Sequence, residues 1–415
     1  MIYNRNLFLI LIGVFIVMLG FGITLPVLPF YIDRFSLSVG ILPEFIPFHI
    51  GLLTGIYAFM QFIFFPVFGI ISDRKGRKPL ILIGLAGYSI SFFLFSASTS
   101  LWLLYFSRIL GGIFSSAFLT SSSAYIADIT PVNKRGKGMA LLGGVTSLGF
   151  VAGPLMGNFL SEINLHYNYS WYHFLLDKYS IPFLVSSVSA LIVFIIIGLF
   201  LRDSNVNGSS KTKTANFFTY FKNIKSLIKK TFVALLAVSF ISQFSLGMFE
   251  GTFAIHSQKL FQFASEQMGL VFIVCGSVMG ILQFGPVVWL IEKKGENFLL
   301  PIGLVFMGIG MSLLMSTQLI VLILIYVSLI SIGMAMLIPS LSSLITKISN
   351  KQYGVSLGFF NSINSLAQAT GVFIGGISLI WFTHLSYWIV ALFLFTAAIL
   401  ISVKQKSLRI SKQIL

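Results

Sequence analysis

Apolar runs of about 20 residues recur along this chain, and they limit what it can fold into more than any other feature. A helix needs about that many residues to cross a hydrocarbon core about 30 Å thick. Runs that meet this length lie near 7–31, 48–71, 79–98, 101–126, 138–160, 180–201, 231–255, 267–291, 298–316, 319–345, 354–380 and 384–403. The pattern predicts an all-α membrane protein with twelve transmembrane helices and both termini on one side. Only 9% of the residues are charged, against about 25% in soluble domains, so the chain lacks the polar groups to cover a water-exposed surface. The first run follows Met1-Ile2-Tyr3-Asn4-Arg5. It is longer than the apolar core of a signal peptide and no small-residue cleavage site follows it, so it reads as the first membrane helix. The single cysteine, Cys275, lies in an apolar run and reads as a small packed residue.

A net charge of +16 could suggest nucleic acid, but its distribution points elsewhere. With the N-terminus inside, the inner segments hold 23 of the 27 Lys and Arg. The outer loops hold three, Arg34, Lys178 and Lys259, and Arg108 falls at membrane depth. The acids divide five and five, with Glu250 inside a span. Such a bias of basic residues alone is the positive-inside pattern. It predicts a multi-pass protein of the cell (inner or plasma) membrane with both termini cytoplasmic, and no nucleic-acid partner.

One long hydrophilic stretch, 202–230, separates two halves of six spans, 1–201 and 231–415. It opens with Asn205-Val206-Asn207-Gly208-Ser209-Ser210 and then carries Phe217, Phe218, Phe221, Ile224, Leu227 and Ile228 at helical spacing. Lys222, Lys225, Lys229 and Lys230 fall between them, the pattern of a basic amphipathic helix on the inner membrane face. The halves repeat. Gly136, Ser147-Leu148-Gly149, Gly153 and Gly157 recur as Gly354, Ser365-Leu366-Ala367, Gly371 and Gly375, each 218 positions later. Gly76 and Gly84 recur as Gly295 and Gly303, 219 later, and Pro66 and Pro286, 220 apart, are expected to end spans 2 and 8. Two parallel six-helix repeats are an architecture of secondary transporters, with a substrate site near the midplane.

The loop after span 2 reads Gly69-Ile70-Ile71-Ser72-Asp73-Arg74-Lys75-Gly76-Arg77-Lys78. Its glycines allow a tight turn and close packing. Asp73 can pair with the basic residues or face a helix N-terminus, and Arg77 can reach the inner end of another helix. Plain positive-inside anchoring would account for the basic residues alone, but not for Asp73 and the spaced glycines. This segment resembles the signature loop of the major facilitator superfamily (G-x-x-x-D-R-x-G-R-[KR]) at every fixed position. Three further stretches resemble motifs of its twelve-span drug:proton antiporter branch. They are Gly20 to Pro29 in span 1, Leu104 to Gly112 around Arg108 in span 4, and Gly149 to Gly157 with Gly153-Pro154 in span 5. Gly111 stands where a glutamine is common, and Asn158 replaces the usual last glycine. The likeness covers the whole chain. Over 19–160 it is closest, to bacterial tetracycline-efflux and quinolone-efflux proteins.

The resemblance implies the major facilitator fold and a monomeric antiporter that exports small amphipathic or lipophilic compounds against protons. The proton gradient would be the driving force, with no cofactor and no enzymatic activity. It implies a proton-coupling role for Arg108, which otherwise reads as a buried structural arginine bonded to carbonyls, since a cation at that depth needs a partner or a water-filled cavity. Glu250 lies among Phe240, Phe244, Phe249 and Phe253 in span 7. A carboxyl group in such surroundings can load and release a proton near neutral pH or attract a cationic substrate, and quinolone-efflux relatives use a span 7 glutamate for coupling. A structural hydrogen bond is the simpler alternative. The four phenylalanines are candidate pocket residues. Asp128 and Arg135, at the inner end of span 4, are expected to join Asp73 and Arg77 in an inner gate with Gly69, Arg74, Gly76 and Lys78; otherwise they are solvated loop residues. Gly149, Gly153 and Gly157 around Pro154 form a small-residue face for close helix approach, repeated at Ala367, Gly371 and Gly375, and Pro154 is expected to bend span 5.

Spans 1 and 3 lack the acids of tetracycline-efflux proteins, and span 10 reads Gly333-Met334-Ala335-Met336 where quinolone-efflux relatives carry an aspartate. A flippase or exporter for a lipid, glycolipid or siderophore therefore stays open. A multispan enzyme would need clustered intramembrane His, Asp or Glu, and a channel charged rings or filter motifs; neither pattern is visible. His166 and His173 share an aromatic outer loop but do not amount to a metal site.

Overall fold

The computed structural model describes residues 2–39, 46–161, 179–202, 230–261, 265–349, 352–381 and 385–413. These form helices α1 (Ile2–Val39), α2 (Ile46–Lys75), α3 (Arg77–Ser96), α4 (Leu101–Ile129), α5 (Arg135–Ser161) and α6 (Ile181–Phe200). Then follow α7 (Lys230–Phe261), α8 (Ser265–Phe284), α9 (Pro286–Lys294), α10 (Glu296–Leu313), α11 (Ile320–Ile348), α12 (Tyr353–Trp381) and α13 (Leu385–Gln413). The amphipathic helix expected within 202–230, and His166 and His173, lie outside the described residues.

Among the described residues, ten helices are long and apolar enough to cross a membrane. α8 and α9 make an eleventh, bent by 46° at Gly285. Proline removes a backbone donor and disfavours helical geometry in the residue before it, so the run over 267–291 breaks before Pro286, the residue expected to end span 8, and continues as α9. Pro66, by contrast, lies inside α2, which continues to Lys75. α12 is the remaining long helix; Ser356, Asn361, Ser362, Asn364, Ser365, Gln368 and Thr370 interrupt its apolar run, and it is not among those ten.

The chain forms two compact units. The first comprises Met1–Ile129, Val145–Val206 and Tyr353–Ser362, the second Thr130–Gly144, Asn207–Gln352 and Ile363–Leu415. Within the first, α3 packs on α4 and α6, α2 on α4, and α1 on α6. Within the second, α10 packs on α11 and α13, and α11 on α8.

Packing in each unit relies on backbones meeting at small residues. In the first, a Cβ at Gly149 would strike the Phe15 carbonyl at 2.7 Å and one at Gly153 the Gly22 Cα and Ile23 N at 2.6 Å. Gly157 stands over Ile23 and Val27, and Pro154 lies within α5 against Gly22. In the second, Gly371 is pressed on the Phe244 carbonyl and Gly375 on Thr252 and Met248, so α7 and α12 meet as α1 and α5 do. Lipid tails are as apolar as side chains, so close van der Waals contact drives such pairs together.

Gly153→Ala should lower the detergent melting temperature by an amount equivalent to about 1–3 kcal/mol, the usual cost of overpacking, because backbone on the facing helix cannot yield. Gly51→Ala, where nothing lies within 4 Å, should leave melting unchanged. Equal melting of the two variants would mean that the α1–α5 contact is not a tight one.

Candidate functional site

The signature loop builds a compact charged cluster in the first unit. α2 ends at Lys75, and Gly76 turns the chain with φ 95°, a conformation that glycine adopts without steric cost. Arg77 thus becomes the first residue of α3. Its side chain is 2% exposed; Nη1 lies 2.5 Å from Asp73 Oδ1 and Nε donates to Asp128 Oδ2 at 2.7 Å. Nη1 also donates to Ser72 Oγ at 3.1 Å. Asp73 accepts in turn from the backbone N–H of Gly354 and of Val355, each at 2.9 Å. These amides open α12, where helix N–H groups lack internal partners and a carboxylate is favoured.

The helix shafts support this junction. Ser362 Oγ donates to the Phe62 carbonyl at 2.7 Å. A Cβ at Gly358 would strike the Phe65 carbonyl at 2.5 Å, and one at Gly69 would strike that of Gly354. Gly69 and Gly354 are therefore glycine because two backbones touch there. Arg74 is exposed and Lys78 half-buried. Arg135 lies in the second unit, where Nη1 donates to the Thr346 carbonyl at 3.4 Å.

Arg108 is 4% exposed on α4. Its guanidinium lies 4.6 Å from the Phe95 ring centre and 5.6 Å from that of Tyr57, within the range of cation–π attraction. No carboxylate pairs with it among the described residues, and its Nε has no hydrogen-bond partner. Tyr57 also faces Phe21, with ring centres 5.4 Å apart, and the buried Tyr88 hydroxyl donates to the Val17 carbonyl at 2.8 Å.

Glu250 lies in the second unit, on α7. Gln368 Nε2 on α12 donates to its Oε2 at 2.7 Å, and no cation pairs with it among the described residues. Between the same helices Ser239 bonds Asn364, and Thr252 Oγ1 on α7 meets the Tyr387 hydroxyl on α13 at 2.7 Å. Of the phenylalanines proposed to line a pocket, Phe249 and Phe253 are wholly buried, their rings 5.3 Å apart. Phe240 and Phe244 stack at 6.2 Å and are only half-buried. Arg108 and Glu250 belong to different units.

Long apolar helices in two repeated sets, a charged cluster at one inter-helix loop and isolated ionisable groups at membrane depth define a secondary transporter. The family model of the Major Facilitator Superfamily matches residues 10–297 and 285–411, and the chain belongs to that superfamily. It is 28% identical to multidrug resistance protein 2 of Bacillus subtilis over 385 residues, covering 90% of this chain and 89% of the relative. It is 29% identical to the class H tetracycline resistance protein of Pasteurella multocida over 301 residues, covering 71% and 69%. The quinolone resistance protein NorA of Staphylococcus aureus is 24% identical over 383 residues, covering 90% and 89%. Among solved structures, the human organic anion transporter MFSD10 (TETRAN) superposes with a TM-score of 0.80 at 22% identity, covering 96% of this chain and 99% of that one. The proton:xylose symporter XylE gives 0.76 at 18%, covering 95% of each. The chain is thus a multi-span membrane transporter of small molecules.

Sequence reasoning missed Gln368 and the amides of Gly354 and Val355. Gly354 opens the repeated glycine motif, so it was within reach of the 218-residue offset, whereas Gln368 was not. Breaking a buried ion pair by removing one partner costs about 3–5 kcal/mol. Asp128→Ala leaves Arg77 its bond to Asp73 and should cost less than that, whereas Arg77→Ala leaves two carboxylates facing each other and should cost more than Asp128→Ala. Detergent melting curves check the order; a reversed order would mean that Arg77 is not the centre of the cluster.

Proposed function

We propose that this chain is a proton-driven exporter of small amphipathic or lipophilic compounds, acting as a monomer in the plasma membrane with both termini in the cytoplasm. Glu250 carries the reading: a carboxyl group within a membrane span whose described partner is the neutral amide of Gln368. A charge at that depth is costly without a partner, and a proton can neutralise it where no cation does. The names of the relatives support export of drug-like compounds: multidrug, tetracycline and quinolone resistance proteins. Arg108, held by aromatic faces with no carboxylate partner among the described residues, is the second coupling group in this proposal, and the half-buried Phe240 and Phe244 are the stronger pocket candidates.

The Asp73 cluster acts as the inner gate. Asp73 holds the first turn of α12 by two backbone hydrogen bonds, a contact that can be broken and remade without unfolding either helix. The inner end of α12 would be released when the transporter opens inward and recaptured when it closes. Hydrogen bonds to a charged group contribute about 1.5–3 kcal/mol, which is the size of bias that can set the balance between two states.

In proteoliposomes with an imposed pH gradient, Glu250→Gln should abolish gradient-driven transport while dye binding persists; undiminished gradient-driven transport would sink the coupling reading. Everted-vesicle uptake of dyes, antibiotics and lipids, with and without the gradient, identifies the substrate class. Asp73→Asn should keep binding and lower the transport rate about tenfold, as the loss of about 1.4 kcal/mol would give. Unchanged transport by this variant would remove the gate role.

A further inference from the structure

We infer that Glu296 and Lys347 form a second inner latch of opposite polarity, which seats the first turn of α5 as the Asp73 cluster seats the first turn of α12. This inference rests on the gated cycle proposed above. Gly295 turns the chain with φ 80°, as Gly76 does, and Glu296 becomes the first residue of α10. Its side chain is only 9% exposed; it pairs with Lys347 in the last turn of α11 and accepts from Ser343 Oγ at 2.8 Å. Asp73, Gly76, Arg77 and Asp128 correspond, 219 positions later, to Glu292, Gly295, Glu296 and Lys347. The base–acid pair of the first unit is an acid–base pair in the second.

The start of α5 lies on this pair. A Cβ at Gly136 would strike Ile291 Cγ2 and come within 3.2 Å of Glu296 Oε1. On either side of it, Arg135 donates to the Thr346 carbonyl and Lys137 Nζ lies 3.8 Å from Glu292 Oε1, both side chains about half exposed. Gly354, 218 positions after Gly136, meets Gly69, Arg77 and Asp73 in the same way. Ile291 belongs to a core with Val287, Leu299, Ala335 and Met336, so the floor of the seat is fixed.

The inversion changes how the latch works. A helix N-terminus favours negative charge and a C-terminus positive charge. Arg77 and Asp128 sit at the wrong ends of α3 and α4, so their cluster gains from Asp73 and the amides of α12. Glu296 and Lys347 sit at the favoured ends of α10 and α11 and hold together without α5. Their contribution to α5 is neutralisation: with Glu296 uncharged, Lys347 and Arg135 would both face the positive end of α5. The second latch is therefore a standing platform, whereas the first is completed only by the helix it captures.

The test uses the full-length protein purified in detergent, with Cys275→Ser and one reporter cysteine. Ala140, wholly buried on α5, and Ser356, buried on α12, are the reporter positions, read by the rate of maleimide labelling. Glu296→Gln should raise labelling of A140C about tenfold, the effect of weakening the seat by about 1.4 kcal/mol. The exchange of charges, Glu296→Lys with Lys347→Glu, should bring the rate back part of the way. Gly136→Val should raise it without altering any charge, and Ile291→Ala should reverse that rise. Unchanged A140C labelling in Glu296→Gln, or a charge exchange that labels as fast as the single variant, would overturn the inference. Asp73→Asn with S356C keeps the two readings apart. If its labelling rises while A140C stays insensitive to Glu296→Gln, the second latch fails alone. If neither reporter responds, the gate itself fails.

Discussion

Hydrocarbon gives a polar group nothing to bond with, and the rest of this structure depends on that constraint. Each backbone amide within a span must find its partner in the chain, so the spans are helical and the free amides collect at helix ends. Buried hydroxyls mostly return to a carbonyl one turn back, as Ser107 does to Leu104 and Ser186 to Pro182. Charged groups have no such local remedy, and four of them are resolved in four different ways. Arg77 is held by two carboxylates, Arg108 by aromatic faces, Glu250 by an amide and Glu296 by an ammonium and a hydroxyl.

The same constraint explains why α12 is polar and glycine-rich at once. Association in lipid rewards close backbone approach, not apolar burial. At Gly354, Gly358 and Gly371 the α12 backbone comes into contact with a carbonyl of a neighbouring helix. Once the backbones are that near, short polar side chains reach across, as Ser362 does to Phe62 and Asn364 to Ser239. Its polar side chains are thus used for specific contacts, and its first ten residues, Tyr353–Ser362, belong to a different compact unit from the remainder.

Much of this was legible in the chain. Twelve helical segments follow from run length alone, because crossing the membrane fixes both the length and the composition of a span. The glycine stripes and the positive-φ turns at Gly76 and Gly295 follow from a repeated offset. The break at Gly285 does not, since Pro66 and Pro286 look alike in sequence yet one interrupts a helix and the other does not. The Arg77–Asp128 pair was legible from its motif. Glu296–Lys347 was not, because a motif search looks for residue types, whereas the repeat preserves only that the charges are opposite. Gln368 was hidden for another reason: a glutamine in a polar helix, 118 residues from Glu250, carries no signal of its own.

The partners also differ in what they permit. A carboxylate paired with a cation gives up the pair when it gains a proton, and a buried cation is left behind. That suits a latch, which must resist neutralisation, and it is the arrangement at Asp73, Asp128 and Glu296. An amide makes no such demand. It carries both donors and an acceptor, so it can donate to a carboxylate and, turned over, accept from a carboxylic acid. Glu250 with Gln368 is the one pair among these that stays satisfied in both protonation states. In the proposed cycle this lets the proton come and go without tearing α7 from α12, while the charged clusters at the inner helix ends keep to opening and closing.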